Sequence, residues 1–155
     1  MANPAPSVLI IEARFYEDIT NELARGATEE LRQRGIGFER VAVPGALEIP
    51  LALSIAISAG VLGPKARHQG CVALGCVIRG ETSHYNIVAE NSARKLFDLG
   101  VTHSLPIGNG IVTVDNREQA WARASVEAKN KGRDAARACD ELIKLALEFG
   151  RKASR

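Results

Sequence analysis

The amino-acid sequence predicts an α/β protein: a single-domain, three-layer α/β/α sandwich around a mainly parallel, four-stranded sheet. Three observations lead there. Short apolar runs alternate with longer segments whose apolar residues recur every three or four positions, which is the pattern of strands alternating with helices. A length of 155 residues fits one domain. The composition is 46% hydrophobic but only 5% aromatic, so the core is aliphatic and suits helices packed on both faces of a sheet.

Residues 1–7 read as a short N-terminal extension and 8–152 as the domain. Val8 to Ala13, VLIIEA, has the composition of a strand buried on both faces. Ile19, Leu23, Ala27 and Leu31 then make one apolar helix face, and Gly35 is placed to end that helix. Phe38 to Val43 reads as the second strand. The turn PGALEIP leads to a helix starting near Pro50, which Gly60 and Gly63-Pro64 terminate. GCVALGC, ending at Cys76, is the third strand. Tyr85, Val88, Ala89, Ser92, Leu96 and Leu99 line a third helix, stopped by Gly100.

THSLPIGNGIVTV supplies the fourth strand and its loop. Asp115 and Glu118 form a D-x-x-E capping pattern for a helix through Trp121. After a pause at Lys129 to Gly132, a last helix turns Ala135, Cys139, Leu142, Ile143, Ala146 and Phe149 to the core. In such sheets ligands sit beyond the carboxyl ends of the strands, so chemistry is expected in the loops beginning at Ala13, Val43, Cys76 and Ile107.

Several functions are excluded. A net charge of +2 without a basic stripe gives no electrostatic case for nucleic acid. No signal peptide and no apolar run long enough for a membrane span is read, so the chain is expected in the cytoplasm. Three cysteines suit reduced thiols, and Cys71 and Cys76 point to opposite faces of one strand, where they cannot share a metal. His68, His84 and His103 lack ligand spacing. Gly108-Asn109-Gly110 lacks the third glycine of a dinucleotide loop. No metal and no cofactor is expected.

Two constellations remain. Gly80-Glu81-Thr82-Ser83 lies between a strand and a helix whose first turn holds His84. Free backbone N–H groups and small hydroxyls there suit an anion such as phosphate, and they equally suit a plain helix cap. Arg123 and Lys131 suit either a binding role or solvated helix charge. The turn chemistry of Asn130-Lys131-Gly132 singles out that segment.

Taken in order, ARFY, VPGALEIP, GCVIRGETSHYNIV, PIGNGIVTVDNREQAWAR and KNKG resemble the lumazine synthase family, from about Val8 to about Phe149. The resemblance implies a flavodoxin-like fold and a condensation of 5-amino-6-(D-ribitylamino)uracil with 3,4-dihydroxy-2-butanone 4-phosphate, releasing phosphate and water. Phe15 matches the aromatic residue that stacks on the pyrimidine. Ala46, Leu47 and Glu48 match the segment holding the ribityl chain and ring, and Cys76, Val77 and Ile78 the segment reading the pyrimidine edge. Glu81 and Thr82 match the phosphate turn, His84 the proton donor, Arg123 the phosphate arginine and Lys131 its neighbouring lysine.

Two positions depart from the family pattern. Asn109 stands where many members carry a phenylalanine over the heterocycle, which implies a more polar ring pocket. Glu81 sets a carboxylate beside the expected phosphate. The rival reading keeps the fold as a non-catalytic flavin- or lumazine-binding protein, which has no use for His84 and Arg123. The resemblance further implies a homopentamer with active sites between subunits, and in some members shells of about sixty copies. Those shells use an added N-terminal strand. Pro4 and Pro6 each lack the donor such a strand needs, so a free pentamer is expected.

Overall fold

The computed structural model describes residues 5–154; Pro4 lies outside them. In chain order the elements are β1 (Ser7–Ala13), α1 (Glu17–Gln33), β2 (Gly37–Val43), α2 (Glu48–Ser58), β3 (Gly70–Ile78), α3 (His84–His103), β4 (Ile107–Val114), α4 (Arg117–Ala124) and α5 (Lys131–Ala153). The four strands pair in the order β2-β1-β3-β4, and every pairing is parallel. The three-layer α/β/α sandwich expected from the alternating pattern is therefore present, with an all-parallel sheet.

The central position of β1 and β3 explains their composition. Val8 to Ala13 and Gly70 to Val77 are buried throughout, because helices cover both faces of the sheet. Val8, Ile10, Val72, Leu74, Val112 and Val114 pack with Leu23 and Leu31 of α1 and Ile143 of α5. Leu9, Ile11 and Ala73 pack on the opposite face with Leu53 of α2 and Leu96 of α3. Each fully buried aliphatic side chain contributes about 1.5–3 kcal/mol relative to exposure. Cys71 and Cys76 fall into these two different layers.

Glycines set how closely α5 approaches its neighbours. A Cβ on Gly132 would lie 1.9 Å from the Leu23 carbonyl oxygen, and one on Gly108 would lie 1.9 Å from that of Ala135. Ion pairs tie α1 to α5 at the rim of this contact. Arg34 donates to Glu30 at 2.7 Å and to Asp140 at 2.6 Å, and Arg137 donates to Glu30 at 2.9 Å. Burial pushes the Glu30 carboxyl up, but the two guanidiniums outweigh it and hold the group below the usual carboxylate range.

Several element ends differ from the sequence reading. Helix α2 starts at Glu48, so Pro50 sits within the first turn, where no intrahelical donor is needed. Helix α3 passes Gly100 and ends at His103, with Ser104 left-handed at φ 49°. Gly100 instead permits a close approach to β4, since its Cβ would lie 3.1 Å from Ile107 Cδ1. Asn116, not Asp115, caps α4: its Oδ1 accepts the Gln119 N–H at 2.9 Å, and Gln119 Oε1 accepts the Asp115 N–H at 2.8 Å.

Lys131 and Gly132 already belong to α5, and the pause falls between Ala124 and Lys131. Leu142 and Phe149 are exposed, so the buried face of α5 is narrower than its apolar residues suggest. The strand-end loops begin after Ile78 and Val114 rather than at Cys76 and Ile107, because each strand pairs with its neighbour to those residues.

Candidate active site

From β1 the chain turns one way to β2, while β3 lies on the other side, so the order reverses between β1 and β3. At that switch point the loops beyond both strands diverge and leave a crevice. A cavity of about 460 Å³ lies there, formed by the loops after β1 and β2, the end of β3 and the start of α3. It brings together Phe15, Ala46, Leu47, Glu48, Cys76, Val77, Ile78, Thr82 and His84.

Phe15 is 75% exposed and forms one wall, its ring 4.9 Å from that of Tyr16 and at 80° to it. The backbone leading to Phe15 is anchored from three directions. Arg14 N–H donates to the Val43 carbonyl at 3.0 Å, its guanidinium donates to Glu12 at 2.8 Å and Asn21 at 2.5 Å, and Thr20 Oγ1 donates to the Ala13 carbonyl at 2.7 Å. Glu12 is buried and also accepts two bonds from Arg40 at 2.5 and 3.0 Å. An open aromatic face thus stands on a rigid base, which suits a flat heterocycle.

Glu48 opens α2, where a carboxylate is favoured by the helix dipole. Ala46 is buried and Leu47 half-buried beside it. Cys76, Val77 and Ile78 bring the end of a central strand to the cavity floor. Burial pushes the Cys76 thiol up to about 11, so it stays protonated and is no nucleophile.

At the start of α3, Ser83 is the N-cap yet makes no side-chain cap hydrogen bond. Thr82 Oγ1 accepts the His84 N–H at a long 3.3 Å. A helix of this length with a weakly satisfied N-terminus, carrying no acidic residue in its first turn, suits an anion. His84 is the first helical residue, exposed and on the cavity lining. Glu81 is exposed and does not line the cavity, so its carboxylate stands apart from the helix start.

Asn109, Arg123 and Lys131 lie elsewhere on this chain. They line a second cavity, of about 300 Å³, between the outer strand β4 and the start of α5. Arg123 is half-buried and its Nη1 donates to the Gln119 carbonyl at 3.2 Å. Lys131 Nζ lies 3.6 Å from Asp134 Oδ2. Asn109 sits opposite Ala73 within β4 rather than in a loop, and its Oδ1 accepts the Ile111 N–H at 3.0 Å. Among the described residues, no cluster of His, Cys, Asp or Glu is arranged to hold a metal ion.

Sequence reasoning missed Tyr16, Tyr85 and Arg79. Tyr16 and Tyr85 line the first cavity, and the Arg79 guanidinium lies 4.2 Å from the Tyr85 ring centre while its Nε donates to Asp115 at 3.0 Å. It also missed the Glu12 cluster, whose one visible signal is an acid inside an apolar run, two residues before Arg14.

Residues 5–146 match the model of the 6,7-dimethyl-8-ribityllumazine synthase family. The chain is 52% identical over 144 residues to the 6,7-dimethyl-8-ribityllumazine synthase of Afipia carboxidovorans, covering 93% of this chain and 88% of that one. The protein of the same name from Bartonella bacilliformis is 51% identical over 94% of this chain and 93% of its own. That from Agrobacterium fabrum is 50% identical over 94% and 97%. Among the described residues no helix is long and apolar enough to cross a membrane.

Proposed function

The chain belongs to the 6,7-dimethyl-8-ribityllumazine synthase family, and from that premise we propose that it condenses 5-amino-6-(D-ribitylamino)uracil with 3,4-dihydroxy-2-butanone 4-phosphate. The products are 6,7-dimethyl-8-ribityllumazine, phosphate and two waters, on the route to riboflavin. The observation that carries this reading is the switch-point cavity. One wall is an exposed aromatic ring, and at its rim a weakly capped helix start lies beside a histidine.

The pyrimidine lies against Phe15, its edge read by the backbone at Cys76 to Ile78. The ribityl hydroxyls donate to Glu48 near Ala46 and Leu47. The phosphate of the second substrate sits on the helix start at Thr82, with the Glu81 carboxylate turned to solvent. The 5-amino nitrogen attacks the ketone carbon, and loss of the carbonyl oxygen as water leaves an imine. Proton loss from carbon then expels the phosphate with its C–O bonding pair. Tautomerisation gives a new carbonyl, which the ribityl-bearing nitrogen attacks, and a second water leaves as the ring closes.

Every step relocates a proton, and His84 at the cavity rim serves as the donor and acceptor. Arg123 pairs with the leaving phosphate and Lys131 adds positive charge. Holding two substrates in one cavity supplies further acceleration.

Arg123 and Lys131 line a different cavity from His84 on the same chain, which supports a site completed by a neighbouring copy. We therefore propose a cytoplasmic homopentamer with sites at its subunit interfaces. Exposed Ile55 on α2, with Phe97 and Val101 on α3, supplies apolar surface for that contact. Pro6, directly before β1, has no N–H for an added strand, which favours the free pentamer over a shell. No nucleic-acid partner, metal or redox cofactor enters the reaction.

Mixing both substrates with the purified protein tests the activity. Lumazine fluorescence should rise with equimolar phosphate release. Pyrimidine binding without either product would favour the non-catalytic rival, which no comparison supports.

A further inference from the structure

We propose that Arg79 is a positioning residue for the reaction. Clamped between Asp115 and the ring of Tyr85, it fixes the first turn of α3 and so the placing of His84 and Thr82. This rests on the reading of that turn as the seat of the proton shuttle and of the phosphate.

The start of α3 needs a restraint that its own caps do not supply. Ser83 makes no side-chain cap hydrogen bond, and Thr82 Oγ1 reaches the His84 N–H only at 3.3 Å. A Cβ on Gly80 would meet nothing within 4 Å, so the turn is not wedged in place there either. The first backbone bonds of the helix, from the Asn86 and Ile87 N–H groups to the Ser83 carbonyl, are 3.1 and 3.4 Å. A proton shuttle must be held better than this, since a misplacement of about 1 Å can cost a hundredfold in rate.

Arg79 spans that turn from the end of β3. Its backbone N–H donates to the Val114 carbonyl at 2.9 Å, which anchors it to the sheet. Its Nε donates to Asp115 at 3.0 Å, and its guanidinium carbon lies 4.2 Å from the Tyr85 ring centre. Tyr85 is half-buried and packs on Ala46, Val77 and Val88 beneath the first cavity. The ring thus meets apolar side chains as well as the cation. Tyr85 directly follows His84, so whatever holds its ring also holds the backbone of the histidine.

The ion pair alone would not do this. Arg79 and Asp115 are 49% and 63% exposed, and a pair so well solvated contributes little. Its part is to aim the guanidinium at the ring. A cation over an exposed aromatic face is worth a factor of about two to five. Arginine suits the place because its fork serves the carboxylate while its flat face lies on the ring, a combination lysine lacks.

The test measures kcat, KM for both substrates and amide hydrogen exchange in Arg79→Met, Arg79→Lys, Tyr85→Leu and Tyr85→Phe. Arg79→Met keeps the stem and loses the cation. It should lower kcat by roughly tenfold, between the worth of the stack and the cost of a displaced group. Pyrimidine KM and melting temperature should stay near wild type. Arg79→Lys should recover part of that loss, and Tyr85→Phe, which keeps the ring, part of what Tyr85→Leu loses. Arg79→Met combined with Tyr85→Leu should be no slower than the worse single variant, because both remove one contact. Exchange at Asn86 and Ile87 should quicken about two- to fivefold in Arg79→Met, with the other helices unchanged.

An unchanged kcat in Arg79→Met overturns the proposal, as do additive losses in the double variant or a Tyr85→Leu effect confined to pyrimidine KM. Faster exchange throughout the chain overturns it too, by showing a global loss of stability. Exchange needs no turnover. A wild-type protein that made no lumazine would refute the function, while exchange at Asn86 and Ile87 would still decide whether Arg79 holds the turn.

Discussion

His84 can serve as a proton shuttle because it opens α3 at the cavity rim, and its backbone N–H rather than its ring makes the contact with Thr82. His84→Ala should therefore lower kcat by on the order of a hundredfold, the usual contribution of a general acid–base group, with pyrimidine KM little changed. An unchanged kcat in steady-state kinetics with both substrates would remove the residue from that role. In the proposed reaction Arg123 acts through charge on only one substrate. Arg123→Ala should raise KM for the ketose phosphate by about tenfold or more while sparing the pyrimidine. Inorganic phosphate should lose most of its competition in that variant, whereas equal losses for both substrates would point to a general folding defect. The gathering of Phe15, Glu48, Cys76 and His84 round one cavity was legible in the sequence because each falls near a strand end, and a parallel sheet gathers its strand ends. Tyr16 and Arg79 were not, since their contacts depend on which loops become neighbours. The second cavity was hidden for the same reason: nothing in the spacing of Asn109, Arg123 and Lys131 says that they meet at the sheet edge rather than at the switch point.

Apolar periodicity marked the middle of every element but set few of the ends. Ile19, Leu23, Ala27 and Leu31 are all buried on one face of α1, as their four-residue spacing requires. Gly35, just past that helix, takes φ 71°, the conformation its position predicts. Gly100 looked the same in sequence, yet it lies inside α3 because β4 packs against it. A glycine thus marks either a turn or a close approach, and only the tertiary contact decides between them. Gly108 is the sharper case of close approach. Gly108→Ala would press a methyl into the Ala135 backbone, and one of the two elements would have to move. Denaturant unfolding should show a loss of about 3 kcal/mol or more, at the upper end for an overpacked core. Gly80→Ala meets nothing within 4 Å and should be close to neutral, which makes it the matched control. Equal stabilities for the two variants would contradict the tight seating of α5 on β4.

At the scale of the whole molecule, one chain carries two separate cavities and large exposed apolar side chains on α2 and α3. Both features fit subunits that complete one another's sites. Light scattering should give a particle of five times the 16.6 kDa chain mass. A monomer would contradict shared sites, and a particle on the order of sixty copies, by closed-symmetry counting, would contradict the free pentamer. The layer order and parallel sheet were legible from the alternation of strands and helices, because a right-handed crossover leaves few other arrangements. The assembly entered only through family resemblance, because no single-chain pattern records which exposed faces meet. The most direct measurement is a structure of the assembled protein with an unreactive ribitylaminopyrimidine and inorganic phosphate bound. It should place the ring on Phe15, the ribityl chain at Glu48, and the phosphate between the start of α3 and Arg123 of an adjacent copy. A ring bound away from Phe15, or a phosphate that touches neither His84's helix nor any Arg123, would contradict the proposed chemistry at its base.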